Sequence, residues 1–230
     1  MDSANSLSTL ETMVEATKSH PSESDASRAW LIGGALLLAT VVIGVAQPAL
    51  SLIPLGGSIR PALFSAALLV FAFGIGGSGS VTARRPLGTI ALTALAAWLL
   101  LGSVLDIIIA SEFSNDSLPA GLMAFGYVDS CVKFALALVA VVQIGRTGVV
   151  PAPFTWVPAW VVGAASVSWL LMQVVAVGST QGFGLVTVGL MSVDALLRVG
   201  GTVLLGALAI MLADRASRVS FRAAEVVVRQ

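Results

Sequence analysis

Two acid–base pairs stand inside apolar stretches of this chain. Asp129 and Lys133 lie in "GYVDSCVKFALALVAVVQIG" (126–145), and Asp194 and Arg198 lie in "SVDALLRVGGTVLLGALAIML" (192–212). Both read Val-Asp-x-x-x-cation, and the acids are 65 positions apart, from 129 to 194. On a helix, four-residue spacing puts acid and base on one face one turn apart, with the acid N-terminal to the base, the better of the two orders. Such a pair can exchange a proton, grip a charged solute, or fasten one helix to another. A single Asp, Lys or Arg at mid-membrane costs about 2.5–3.5 kcal/mol on the insertion scale, against about 0.3–0.6 gained per Leu, Ile, Phe or Val. Pairing lowers that cost, and the surrounding aliphatic residues outweigh the remainder.

Further polar residues sit in similar runs. Asp106 and Gln173 fall toward the far ends of the two preceding apolar segments. Two consecutive hairpins therefore share a plan, an acid or amide on the first helix and an acid–base pair on the second. The expectation is a weak two-helix repeat of segments three–four and five–six, of the parallel kind known in some transporters. Asp106, Asp129 and Asp194 stand against Lys133 and Arg198. If all five converge, one carboxylate is left to take up a proton or hold a cation. The candidate solute- or ion-binding set is Asp106, Asp129, Lys133, Gln173, Asp194 and Arg198. The opposing interpretation is that the pairs are packing elements that fix helix register.

The elements that must position these residues are membrane helices. The chain has 230 residues, 57% hydrophobic and 10% charged, with a mean hydropathy of +0.98. Soluble domains are about a quarter charged. Apolar runs long enough to span a bilayer, about 20 residues each, recur along most of the chain. They lack the period-two alternation of a transmembrane barrel. The expected fold is all-α and polytopic with six spans: about 30–47, 61–74, 87–111, 118–144, 154–177 and 185–212. A polar arm (1–27) precedes the six-helix domain (28–213), and a basic tail (214–230) follows it. In the arm, Ser8-Thr9-Leu10-Glu11 reads as a capping box for a short amphipathic helix, against a disordered tail.

Basic residues set the expected orientation. With the N-terminus inside, Lys18, Arg28, Arg84, Arg85, Arg146, Arg215, Arg218, Arg222 and Arg229 all fall on the cytoplasmic side, and Arg60 falls outside. The positive-inside rule then gives N-in and C-in. A bacterial cytoplasmic membrane is the expected location. The tail is either a surface helix on anionic lipid or a simple stop-transfer flank.

Several chemistries are excluded or poorly supported. Net charge is zero and the basic residues are scattered, so no nucleic-acid footprint exists. One cysteine, Cys131, and one histidine, His20, exclude an intrachain disulfide and a Cys/His metal centre. "GIGGSG" (74–79) matches a dinucleotide fingerprint but follows a membrane helix instead of a strand, so no nucleotide cofactor is implied. Neither H-E-x-x-H nor G-x-S-x-G nor a Walker motif occurs, which leaves only a carboxylate-based enzyme among catalytic readings. In outline the six-span plan is similar to substrate-binding subunits of vitamin uptake transporters, with no motif that carries residues across. The expected function is binding or transport of a small polar or charged solute through an outward-facing pocket, with proton coupling open. The alternative is a structural or regulatory subunit that docks a membrane partner. Gly200, Gly201 and Gly206 are expected to permit close helix contact.

Overall fold

A computed structural model describes residues 23–50, 56–75, 80, 85–112, 120–147, 154–178 and 185–228, and no strand occurs among them. The Ser8–Glu11 capping box and the loop at 113–117 lie outside these residues. Six helices follow in order: α1 (Glu23–Leu50), α2 (Ile59–Phe73), α3 (Pro86–Glu112), α4 (Ala120–Thr147), α5 (Val157–Gly178) and α6 (Leu185–Val228). Each contains a stretch long and apolar enough to cross a membrane. The chain is a multi-pass membrane protein by that measure, and its surface agrees. Val45, Trp160 and Leu196 are each more than 70% exposed. An apolar surface that continuous suits hydrocarbon and not water.

Helix ends follow local chemistry. Gly74 stops α2 at φ 69°, and its N–H bonds back to the Val70 carbonyl at 2.8 Å. Glycine takes this left-handed conformation without the Cβ clash of other residues. Pro61 falls in the first turn of α2, where its missing N–H has no helical partner to lose. The α1 helix continues through Pro48 to Leu50, slightly past the expected stop. The α6 helix runs unbroken for 44 residues. At 1.5 Å per residue it is roughly 66 Å long, about twice the hydrocarbon thickness. The basic tail is thus a continuation of the last span as far as Val228.

The helices form a ring in which sequence neighbours touch and α1 closes against α6; the α4–α5 contact is the sparsest of the ring. Small residues make the α1–α6 closure. A Cβ added at Gly34 would stand 2.9 Å from the Gly206 carbonyl oxygen, and one at Gly206 would stand 3.0 Å from Leu38 Cγ. Ser27 Oγ donates to the Ala213 carbonyl at 3.0 Å on the same seam. Gly201 receives Val161 of α5, whose Cγ1 would lie 2.6 Å from an added Cβ, whereas Gly200 faces open space. Two of the three expected contact glycines therefore serve close packing. On the other side of the ring, Ser65 Oγ donates to the Ala96 carbonyl at 3.1 Å, joining α2 to α3.

Burial is uneven along the bundle. The buried apolar side chains lie at 29–37 in α1, 67–72 in α2, 91–96 in α3, 140–144 in α4 and 208–213 in α6. All belong to the half that carries Arg28, Arg85, Arg146 and Arg215, here termed the basic end. There Ile144 packs with Trp30, Phe71, Phe154 and Leu212, so α1, α2, α4, α6 and the turn leading into α5 converge on one plug. Trp30 and Phe71 meet edge to face at 6.0 Å. Toward the opposite end Val42, Leu101, Val104, Tyr127, Val174 and Val193 are exposed, as are Leu31, Leu87, Ile90, Trp160 and Met211 toward the basic end, as expected of helices facing lipid. Among the described residues, buried apolar side chains are thus concentrated at the basic end.

Candidate functional site

The two pairs form within their own helices. Asp129 Oδ2 accepts from Lys133 Nζ at 2.6 Å on α4. Asp194 Oδ2 accepts from Arg198 Nε at 2.6 Å on α6. One helical turn brings each cation to its acid, as the spacing requires. No cross-pairing joins α4 to α6 among the described residues.

The second oxygen of each acid reaches the preceding helix. Asp129 Oδ1 accepts from the Trp98 indole Nε1 of α3 at 2.8 Å. Asp194 Oδ1 accepts from Ser168 Oγ of α5 at 2.9 Å. Each carboxylate thus bridges an intrahelical cation and an interhelical donor, and each two-helix unit has the same wiring with a different donor. Hydrogen bonds to an ionised group contribute more than neutral ones, about 1.5–3 kcal/mol net. The acids are the more buried partners, 21% and 18% exposed for Asp129 and Asp194, while Lys133 and Arg198 are 34% and 51% exposed.

The cations keep spare donors. An ammonium has three N–H bonds and a guanidinium five; one of each is committed to its acid. Lys133 Nζ passes beside Gly102 of α3, where an added Cβ would lie 3.8 Å away. Both cations line one cleft of about 440 Å³ between α4 and α5. Its walls include Cys131 and Phe134 from α4 and Ser166, Trp169 and Leu170 from α5. Neither Asp129 nor Asp194 lines it, so the cleft meets the positive ends of two neutral pairs. Lys133 lies eleven positions from Ile144 of the plug, about 16 Å along the helix, and so stands near the middle of α4 (Ala120–Thr147).

The remaining candidates lie apart. Asp106 is exposed on α3 and has no ion-pair partner among the described residues. Gln173 is half-buried on α5 and does not line the cleft. Among the described residues, no three of His, Cys, Asp and Glu come close enough to hold a metal ion. Gln47, at a similar depth on α1, has its Oε1 buried with no hydrogen-bond partner. A smaller cavity of about 160 Å³ at the basic end is lined by Phe154, Met211 and Arg215. Arg215 already sits over the Phe154 ring at 6.0 Å, and the acid there, Asp214, is paired with Arg218 at 2.8 Å.

Sequence reasoning passed over Trp98, Ser168, Phe134 and Trp169. Trp98 carried a usable signal. Membrane tryptophans favour the interfaces, so an indole in mid-segment calls for a buried acceptor. Ser168 carried none, because small hydroxyl residues are common in membrane helices.

No protein-family model, curated protein or solved structure matches this chain.

Proposed function

We propose that this protein binds a small polar or charged solute in an outward-facing intramembrane pocket and carries it across the bacterial cytoplasmic membrane. The observation that carries the reading is the asymmetric packing. A plug of Ile144, Trp30, Phe71, Phe154 and Leu212 packs the basic end, while Lys133 and Arg198 line a cleft at mid-depth between α4 and α5. On the positive-inside rule the basic end is cytoplasmic and both termini lie inside, and on this reading the cleft opens away from the plug, to the outside. A closed inner end and a charged pocket above it are what alternating access requires of one resting state. The matched wiring of Asp129 and Asp194 supports two related two-helix units that rock about the pocket. Proton coupling would run through Asp106, the candidate acid with no ion-pair partner among the described residues.

A second reading has its own support. The Trp98–Asp129 and Ser168–Asp194 bonds fasten helix to helix, which is what structural charge pairs in a regulatory or partner-docking subunit would do. Uptake by reconstituted protein separates the two. Proteoliposomes are assayed with labelled glutamate, lactate, octanoate, lysine and choline, for the native chain and for Asp129→Asn/Lys133→Met. Transport predicts accumulation of at least one solute above empty liposomes, abolished in the double variant. Full uptake by a folded double variant assigns that pair to packing, and no uptake of any solute argues for the second reading.

A further inference from the structure

The α4–α5 cleft has a chemical character that narrows its occupant. Its charged groups are Lys133 and Arg198 alone. Their acids turn away, with both oxygens engaged: Asp129 by Lys133 and Trp98, Asp194 by Arg198 and Ser168. A cationic solute would therefore meet two cationic side chains and no carboxylate in the cleft wall. An anion would meet an ammonium with two uncommitted donors and a guanidinium with four, and guanidinium groups hold carboxylates through two parallel bonds. The rest of the wall is mostly apolar, with Phe134 on one side and Trp169 and Leu170 on the other. The volume of about 440 Å³ lies in the usual range for one small organic ligand, about 300–1,000 Å³.

We infer that this cleft takes a small amphipathic organic anion, with its acid group on Lys133 and Arg198 and its apolar body against Phe134, Trp169 and Leu170. The inference rests on the outward-facing pocket proposed above and names the class of solute. The sparse α4–α5 contact gives such a molecule its entry, with the head drawn to the paired cations and the body replacing lipid contact. A polar anion lacking an apolar body would forgo the wall, and a neutral alcohol would forgo the cations.

The test uses the full chain in nanodiscs of neutral phosphatidylcholine, with empty nanodiscs as the partition control. Cys131 is the only cysteine of the chain; it is exposed and lines the cleft, so its rate of modification by N-ethylmaleimide reports occupancy. Octanoate should bind saturably by calorimetry and slow that modification, while 1-octanol and octylammonium at equal concentration should not. Asp129→Asn/Lys133→Gln and Asp194→Asn/Arg198→Gln keep acceptors for Trp98 and Ser168 and strand no charge. Each should weaken octanoate binding at least about tenfold, as loss of a charge-assisted contact implies. Equal protection by octanol overturns the inference, as does wild-type octanoate binding in both double variants. Displacement of octanoate when phosphatidylglycerol replaces phosphatidylcholine also overturns it, and assigns the cleft to a lipid headgroup. Should either variant fail to fold, the contrast among octanoate, octanol and octylammonium on the native chain decides. A Cys131 that reacts but is never protected defeats this inference alone; a Cys131 that never reacts removes the open pocket as well.

Discussion

Removing Lys133 should destabilise the protein, and neutralising its partner as well should restore it. In Lys133→Met, Asp129 loses the 2.6 Å ion pair and keeps only the 2.8 Å bond from Trp98. Breaking a fully buried pair on one side costs about 3–5 kcal/mol. Asp129 is 21% exposed and Lys133 34%, so part of that penalty is screened. The retained indole bond, in the range of about 1.5–3 kcal/mol for a charged acceptor, offsets more. The expected loss is about 2 kcal/mol, roughly a 30-fold shift in the unfolding equilibrium. In Asp129→Asn/Lys133→Met no charge remains, and the Asn carbonyl still accepts from Trp98. Its stability should fall within about 1 kcal/mol of the native chain, because a buried pair contributes little beyond its own desolvation cost. The assay is reversible unfolding in mixed micelles by a graded denaturing detergent, followed by tryptophan fluorescence. A Lys133→Met variant as stable as the native chain, or a double variant no better than the single one, would show that the pair does not hold Asp129 in this way.

Trp98→Phe and Ser168→Ala each remove one donor to a carboxylate, and each should lower stability by about 1.5–3 kcal/mol in the same assay. Gly206→Leu should disrupt the α1–α6 seam, where an added Cβ already meets Leu38 at 3.0 Å and the Gly34 carbonyl oxygen at 3.2 Å; overpacking of this kind costs about 1–3 kcal/mol, read as a lowered thermal midpoint. Gly200→Ala, facing open space, should be neutral or gain up to about 1 kcal/mol from helix propensity. Asp106→Asn should change stability by no more than about 0.5 kcal/mol, since Asp106 is exposed and has no ion-pair partner among the described residues. Reporter fusions after Arg85, Arg146 and Arg218 should report cytoplasm, and fusions in 112–117 or 178–183 should report the outside.

The architecture was legible because hydrophobic length and charge scarcity act on whole segments. All six helices fall where apolar runs imply them, although α1 begins at Glu23, seven residues before the expected start and inside the expected polar arm, and α6 runs sixteen residues past 212; the other ends agree within about three residues. The departures are local: α1 carries on through Pro48 because a proline in the last turn breaks only a terminal bond, and α6 continues into its basic tail because nothing between Ala213 and Val228 interrupts a helix. The two intrahelical pairs were also legible, since four-residue spacing is a property of the helix alone. Their wider wiring was not. Asp129 and Trp98 lie 31 positions apart, Asp194 and Ser168 lie 26 apart, and an indole and a hydroxyl share no pattern. The cleft goes with the sparse contact between α4 and α5, a tertiary feature that no local pattern announces. Asp106 and Gln173 entered the candidate set by depth, and depth does not determine the direction in which a side chain points.

The central claim is that the cleft beside Lys133 and Arg198 opens to the outside while the plug closes the cytoplasmic end. The most direct test is the sidedness of Cys131. Sealed right-side-out and inverted vesicles containing the native chain are treated with a membrane-impermeant, positively charged methanethiosulfonate reagent, and the labelled fraction is read by mass shift. An outward-opening cleft predicts modification in right-side-out vesicles and protection in inverted ones, with full modification of both after solubilisation. Faster labelling from the cytoplasmic face would contradict it.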